Sequence, residues 1–165
     1  MTRRSIYCEI NDKEILALLD EMQSKVKDRK KVLRSLARIM QKDVEENFET
    51  EGKNITGEKW EEWSDPYEAY RAKTGRANGK ILQLEGELRK GISRKVTDDE
   101  AVVYSDKEYA AIHNFGGDIR RDGSIVGEMP ERKFMGWHDE LKRKITDELL
   151  LVTGLADLGF EKDDL

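Results

Sequence analysis

Cysteine is almost absent from this 165-residue chain: Cys8 stands alone, so no internal disulfide can form and a reducing compartment suits it. Histidine is nearly as scarce, with His113 and His138 the whole stock. A zinc site needs about three or four Cys, His or carboxylate ligands, and Cys8, His113 and His138 share no short ligand spacing, so no metal is expected. The same scarcity works against a nucleophile and base pair. His113 could activate Ser105, Ser124 or Cys8 only if the fold brought them together, and nothing in their spacing does so. No apolar run approaches the roughly 18 to 20 residues of a membrane span, and Met-Thr-Arg-Arg-Ser at the start is not followed by a signal-peptide segment. A soluble protein made in the cytoplasm, with no membrane partner, is the expectation.

Charge, by contrast, is plentiful. Thirty basic and 35 acidic residues give a net charge of -5, so the molecule as a whole has no electrostatic pull toward nucleic acid. The charges alternate with apolar positions at regular spacing, which predicts a folded chain and not a disordered one. The length suits one domain, expected over residues 1–152, with 153–165 as a mobile tail without periodicity.

Residues 4–10 alternate in the period of two expected of a strand. Asn11 and Glu14 form a capping box for a helix with Ile15, Leu18, Leu19, Met22 and Val26 on one face. A second helix follows Asp28, with Leu33, Leu36, Ala37, Met40, Val44 and Phe48 as its apolar stripe. From Arg29 to Lys42 it carries six basic side chains and no acid; Lys30, Arg34, Arg38 and Lys42 recur every four residues, a spacing at which like charges repel. This stripe reads as a solvated face balanced by acids of the first helix, as a dock for an acidic partner, or as a nucleic-acid contact.

A long polar connection to Lys80 holds Trp60, Trp63, Tyr67 and Tyr70 at spacings of three and four. They suggest one short helix laying an aromatic stripe on the core, with a ligand or nucleic-acid stacking platform as the alternative. A nucleic-acid stacking platform is disfavoured, because Glu58, Glu61, Glu62 and Asp65 surround the tryptophans. Ile81, Leu84, Leu88 and Ile92 predict another helix ended by Gly91. A hairpin is expected next, Ile92 to Val96 with Ala101 to Ser105, then a short helix from Asp106 to Asn114 capped by Ser105 and Glu108.

The stretch from Tyr109 to Gly136 organises the rest. His113 precedes Gly116-Gly117, which is no phosphate loop because no lysine-serine follows, so no cofactor is expected there. Asp122-Gly123 predicts a tight hairpin turn and hence a projecting flap over 118–126. Pro130, Arg132, Phe134 and Gly136 form the re-entry, where Arg132 has the fork to hold a carboxylate or backbone carbonyls. A last helix is expected from Trp137 to Val152, with Trp137, Leu141, Ile145, Leu149 and Val152 inward. The fold class is α+β, helices on a small mostly antiparallel sheet.

Four motifs in order carry a resemblance: Gly57-x-x-Trp60; Leu84-x-Gly86-x-Leu88-x-x-x-Ile92-Ser93; Tyr109-Ala110-x-Ile112-His113-x-x-Gly116-Gly117; and Pro130-x-Arg132-x-Phe134-x-Gly136. Together they resemble the Mu-like phage virion morphogenesis, or tail completion, family over roughly residues 12–152. Lys133, Trp137 and the Glu61-Glu62 pair depart from its usual pattern. The resemblance implies a non-enzymatic phage or prophage structural protein, made in the host cytoplasm and acting in the virion neck or tail, in tail completion or head-tail joining. It implies a homo-oligomeric ring, with tail and head-neck proteins as partners and DNA only as passing cargo. The expected interface residues are Arg34, Arg38, Trp60, Trp63, Arg120, Arg121 and Arg132, on a scaffold of Tyr109, His113, Gly116, Gly117, Pro130, Phe134 and Gly136. The alternative is a nucleic-acid-binding or nuclease-like accessory protein using residues 29–42.

Overall fold

The computed structural model describes residues 6–9 and 29–153. The helix expected after Asn11 and the tail expected beyond Thr153 lie outside the described residues. The fold is α+β, with six helices and two small antiparallel sheets among those residues. In chain order the elements are β1 (Ile6–Glu9), α1 (Arg29–Thr50), α2 (Lys53–Thr56), α3 (Asp65–Lys73) and α4 (Glu87–Lys90), then β2 (Ile92–Val96) and β3 (Ala101–Ser105). After them come α5 (Ala110–Phe115), β4 (Gly117–Arg121), β5 (Ser124–Met129) and α6 (Asp139–Thr153). The chain divides into two compact units, one with the described residues 6, 44–92 and 105–136, the other with 7–9, 29–43, 93–104 and 137–153.

In the second of these units, strands order as β1-β3-β2, and Thr97 N–H donates to Glu100 O across the expected β2–β3 turn. The apolar spacing of α1 buries Val32, Leu33, Leu36, Ala37 and Met40, and Leu33 and Ala37 pack with Ala101 and Val96 of the hairpin. In α6, Leu141, Ile145 and Leu149 are buried as the spacing predicts. Trp137 precedes the helix and Val152 is 36% exposed, so the inward stripe is shorter than expected. Asp43 is buried, and its carboxylate meets His138 Nε2 at 2.8 Å and Lys144 Nζ at 3.3 Å, which supplies the pairing a buried charge requires. The basic stripe is met in part by the hairpin turn: Lys30 bonds Asp98 at 2.8 Å and Arg29 lies 3.5 Å from Asp99. Lys30 holds the Asp98 carboxyl below its usual pKa.

In the other unit the core is aromatic. Phe48 is fully buried, with Phe134 at 5.2 Å and Trp60 edge-on at 5.8 Å between ring centroids. Two expectations fail here. Trp60 lies in irregular chain before α3, and Tyr67 and Tyr70 on α3 are exposed, so the four aromatics form no single buried stripe. They divide into a core anchor, Trp60, and a surface ladder in which Trp63 meets Tyr67 at 6.5 Å and Tyr67 stacks on Tyr70 at 6.2 Å. The helix expected over 81–92 shrinks to the four residues of α4, because Leu82 takes φ 61° and Gly86 φ 71°, both outside the helical region. Ile81 and Leu88 are still buried, but Leu84 is exposed. The expected capping box also misses its register: Ser105 Oγ accepts from Lys107 N–H, and α5 starts only at Ala110.

Candidate functional site

α5 ends where Gly116 takes φ 67°, and a Cβ there would lie 2.9 Å from Glu131 N and 3.0 Å from Met129 O. Only glycine tolerates both the positive φ and that close passage. The chain leaves this point as β4, turns through Asp122 (φ 50°) and Gly123, and returns as β5. Positive φ at both turn residues is the geometry that Asp-Gly favours in a tight hairpin. Pairing runs from Gly117 opposite Met129 to Arg121 opposite Ser124, with a bulge between Ile119 and Arg120. Every residue from Gly117 to Glu128 is exposed, including Ile125 and Val126 at 58% each. The expected flap is present.

Three buried polar anchors hold the base of this flap. Asn114, fully buried, accepts through Oδ1 from Phe134 N–H at 3.1 Å and Met135 N–H at 2.9 Å. Arg132, 6% exposed, donates from Nε to Glu61 O and from Nη2 to Glu62 O, each at 3.0 Å. The fork that sequence assigned to Arg132 thus grips carbonyls of its own chain. Trp60 Nε1 donates to Lys133 O at 3.1 Å, and Arg132 N–H donates to His113 O at 2.8 Å. Residues 60–62, 113–114 and 129–135 are thereby tied into one frame.

Beside the frame lies a cavity of about 550 Å³, lined by α3, the 82–88 segment, α5 and the flap base. Trp63, Tyr67, Leu84 and Met129 supply apolar surface and Glu61, Glu62 and Glu128 supply carboxylates. Arg71, buried at 2% exposure, closes one side with its guanidinium 3.8 Å from the Trp63 ring centre and its Nε on Arg76 O at 3.0 Å. His113 and Tyr109 also face the cavity, edge to face at 5.9 Å. Burial, and then the Arg132 charge, hold the His113 pKa below its ordinary 6.5. A neutral ring results, and its Nδ1 has no hydrogen-bond partner among the described residues.

Of the expected interface residues, Trp63, Trp60, Arg132 and the flap arginines Arg120 and Arg121 fall in this one unit, while Arg34 and Arg38 are exposed on α1 in the other. Pro130, Phe134 and Gly136 form the irregular re-entry, with Phe134 in the core. Asn114 and Arg71 were missed by sequence reasoning. Asn114 had a signal, since Ala110 and Asn114 stand four apart on the buried face of α5; Arg71 had none, in a helix with little apolar patterning. Among the described residues, no group of three or more His, Cys, Asp and Glu side chains could hold a metal ion, and no helix is long and apolar enough to cross a membrane.

Buried polar groups thus brace a projecting hairpin. Residues 10–152 match the phage virion morphogenesis family, and the chain belongs to that family. It is 33% identical over 140 residues, 85% of this chain and 88% of the relative, to the putative capsid assembly protein G of Escherichia phage Mu. It is also 31% identical over 115 residues to the Mu-like prophage FluMu G protein 1 of Haemophilus influenzae, covering 68% of this chain and 71% of that one. FluMu G protein 2 of the same organism is 28% identical over 131 residues, 79% of this chain and 83% of its own. No solved structure matches the chain. The role of this protein is therefore structural or in assembly of the virion.

Proposed function

We propose that this chain is a non-enzymatic tail completion or head-tail joining protein that acts as a homo-oligomeric ring at the virion neck. The observation that carries the reading is the flap: exposed along its length, it bears Ile125 and Val126 at 58% exposure on a frame held by Asn114 and Arg132. Exposed apolar side chains on a braced hairpin favour a protein contact over a solvated loop. A contact between unlike surfaces of identical copies closes into a ring when the rotation permits. Its partners would be neighbouring copies and the tail and head-neck proteins, met in the host cytoplasm, and DNA would pass as cargo; a net charge of -5 suits a channel to which DNA does not stick.

Deleting the gene in the parent phage and viewing the lysate by electron microscopy tests this. Filled heads separate from tails are expected, and normal virions would refute it. The name of the Mu relative, a capsid assembly protein, favours a second reading, a role in building the capsid itself. Aberrant or missing heads in the same lysate would support that instead.

A further inference from the structure

We infer that Asn78-Gly79 is a site of self-modification, where the Gly79 backbone nitrogen attacks the Asn78 carboxamide and residue 78 becomes aspartate or isoaspartate, a new carboxylate beside the buried Arg71 guanidinium. Of the asparagines Asn11, Asn47, Asn54, Asn78 and Asn114, only Asn78 precedes a glycine. With no side chain, glycine leaves its nitrogen unshielded and lets the backbone swing that nitrogen onto the preceding side chain. Asn47 and Asn114 are fully buried in α1 and α5, and Asn54 is held in α2. Asn78 and Gly79, by contrast, are exposed in irregular chain between α3 and α4. Neither the Asn78 side chain nor the Gly79 N–H forms a hydrogen bond among the described residues. The chain is tied on both sides of them: Arg76 O accepts from Arg71 Nε at 3.0 Å, Arg76 pairs with Glu85 at 2.8 Å, Lys80 pairs with Glu49, and Ile81 N–H donates to Glu51 at 2.9 Å. Residues 77–79 are the untied span between those anchors.

Arg71 lends the reaction its charge. It is 2% exposed, and a Cβ built on Gly79 would lie 2.7 Å from its Nη2, so the guanidinium rests against the Gly79 backbone. Its contacts are the Trp63 ring and Arg76 O, and it forms no ion pair among the described residues. A cation fixed there favours the negative charge that develops on the Gly79 nitrogen and on the carboxamide oxygen during attack. The bond from Gly79 N to Asn78 Cγ forms, the Cγ–Nδ2 bond breaks, and ammonia leaves with the proton that the Gly79 nitrogen gives up. A five-membered cyclic imide results. Water then opens it at Cγ to give aspartate, or at the backbone carbonyl of residue 78 to give isoaspartate, whose main chain runs through the former side chain. No oxidant or cofactor enters. Either product adds one negative charge and offers Arg71 the counterion that a buried guanidinium otherwise lacks.

The test incubates the purified full-length chain in mildly alkaline buffer, then uses isoelectric focusing and mass spectrometry of peptides that span residue 78. A gain of about 1 Da at residue 78 is expected, with a shift of one charge toward acid. Isoaspartate in the same peptide is detected by enzymatic methylation of its carboxyl group. Asn78→Gln, whose longer side chain must close a six-membered ring, is expected to convert at least about tenfold more slowly. The folded chain is expected to convert at least as fast as the same chain unfolded in urea, because its loop is untied and Arg71 stands beside Gly79. No gain at residue 78, or conversion at least about tenfold slower when folded than when unfolded, would overturn the inference. Asn78→Asp carries the carboxylate from the start and is expected to raise Tm by about 2–4 °C. An unchanged or lower Tm would overturn the pairing with Arg71.

Discussion

Replacing Asn114 by alanine isolates the brace beneath the flap. The side chain is fully buried and its Oδ1 is the acceptor for two backbone donors, Phe134 N–H and Met135 N–H. Truncation strands both donors away from water, at about 1–3 kcal/mol each. The void left by the missing carboxamide adds about 1 kcal/mol. Against this, Nδ2 has no partner among the described residues, so removing it returns about 1–3 kcal/mol. The net expectation is a loss of roughly 3 kcal/mol. For a chain of this size that lowers Tm by about 6–12 °C. Thermal unfolding followed by tryptophan fluorescence reports it, because Trp60 and Trp63 both lie in the braced unit. A Tm within about 1 °C of the parent would show that the clamp does not hold the re-entry, and the argument for a preorganised flap would fail with it.

Phe48→Ala empties the centre of the aromatic core and is expected to cost about 3–5 kcal/mol, read as a shift in urea midpoint. Gly52→Ala would put a Cβ 2.3 Å from Trp60 Nε1 at φ 94°; the indole must move off Lys133 O, with a red-shifted emission and a loss of about 1–3 kcal/mol. His113 has a folded pKa below its unfolded value, from burial first and the Arg132 charge second. On acidification the unfolded chain takes up the proton first, so stability is full above the unfolded pKa of about 6.5 and falls as pH drops through it toward the folded pKa, less steeply than for a fully buried ring because solvent screens the partly exposed imidazole. Denaturant titrations between neutral pH and about pH 5 should show this slope, reduced in His113→Gln. Arg34→Glu with Arg38→Glu is expected to leave DNA retention at physiological salt as negligible as in the parent, checked by filter binding; tight parental binding lost on this change would favour the nucleic-acid alternative.

Elements whose local pattern and tertiary role agree were legible in the sequence. α1 shows its stripe from Leu33 to Phe48, the β2–β3 hairpin shows two short runs on either side of the polar turn Thr97 to Glu100, and Asp122-Gly123 announces the flap. What escaped was set by contacts distant in sequence. Trp60 and Tyr67 stand at helical spacing, yet Phe48 and the Lys133 carbonyl recruit Trp60 to the core while Tyr67 remains at the cavity mouth. The apolar period from Ile81 to Ile92 suggested a long helix, but glycine at 86 and the turn at Leu82 limit it to α4. At the site, the fork chemistry of Arg132 was readable from residue type, whereas its partners, the carbonyls of Glu61 and Glu62, lie some seventy positions away. His113 drew attention because it neighbours glycines; its backbone carbonyl, bonded to Arg132 N–H, ties it to the frame.

The proposed ring of copies at the junction of head and tail can be seen or excluded by cryo-electron microscopy of finished virions. A closed ring of this chain at the neck is expected, with each copy's flap against its neighbour. Virions that lack the chain, or carry it only in the head shell, would contradict it.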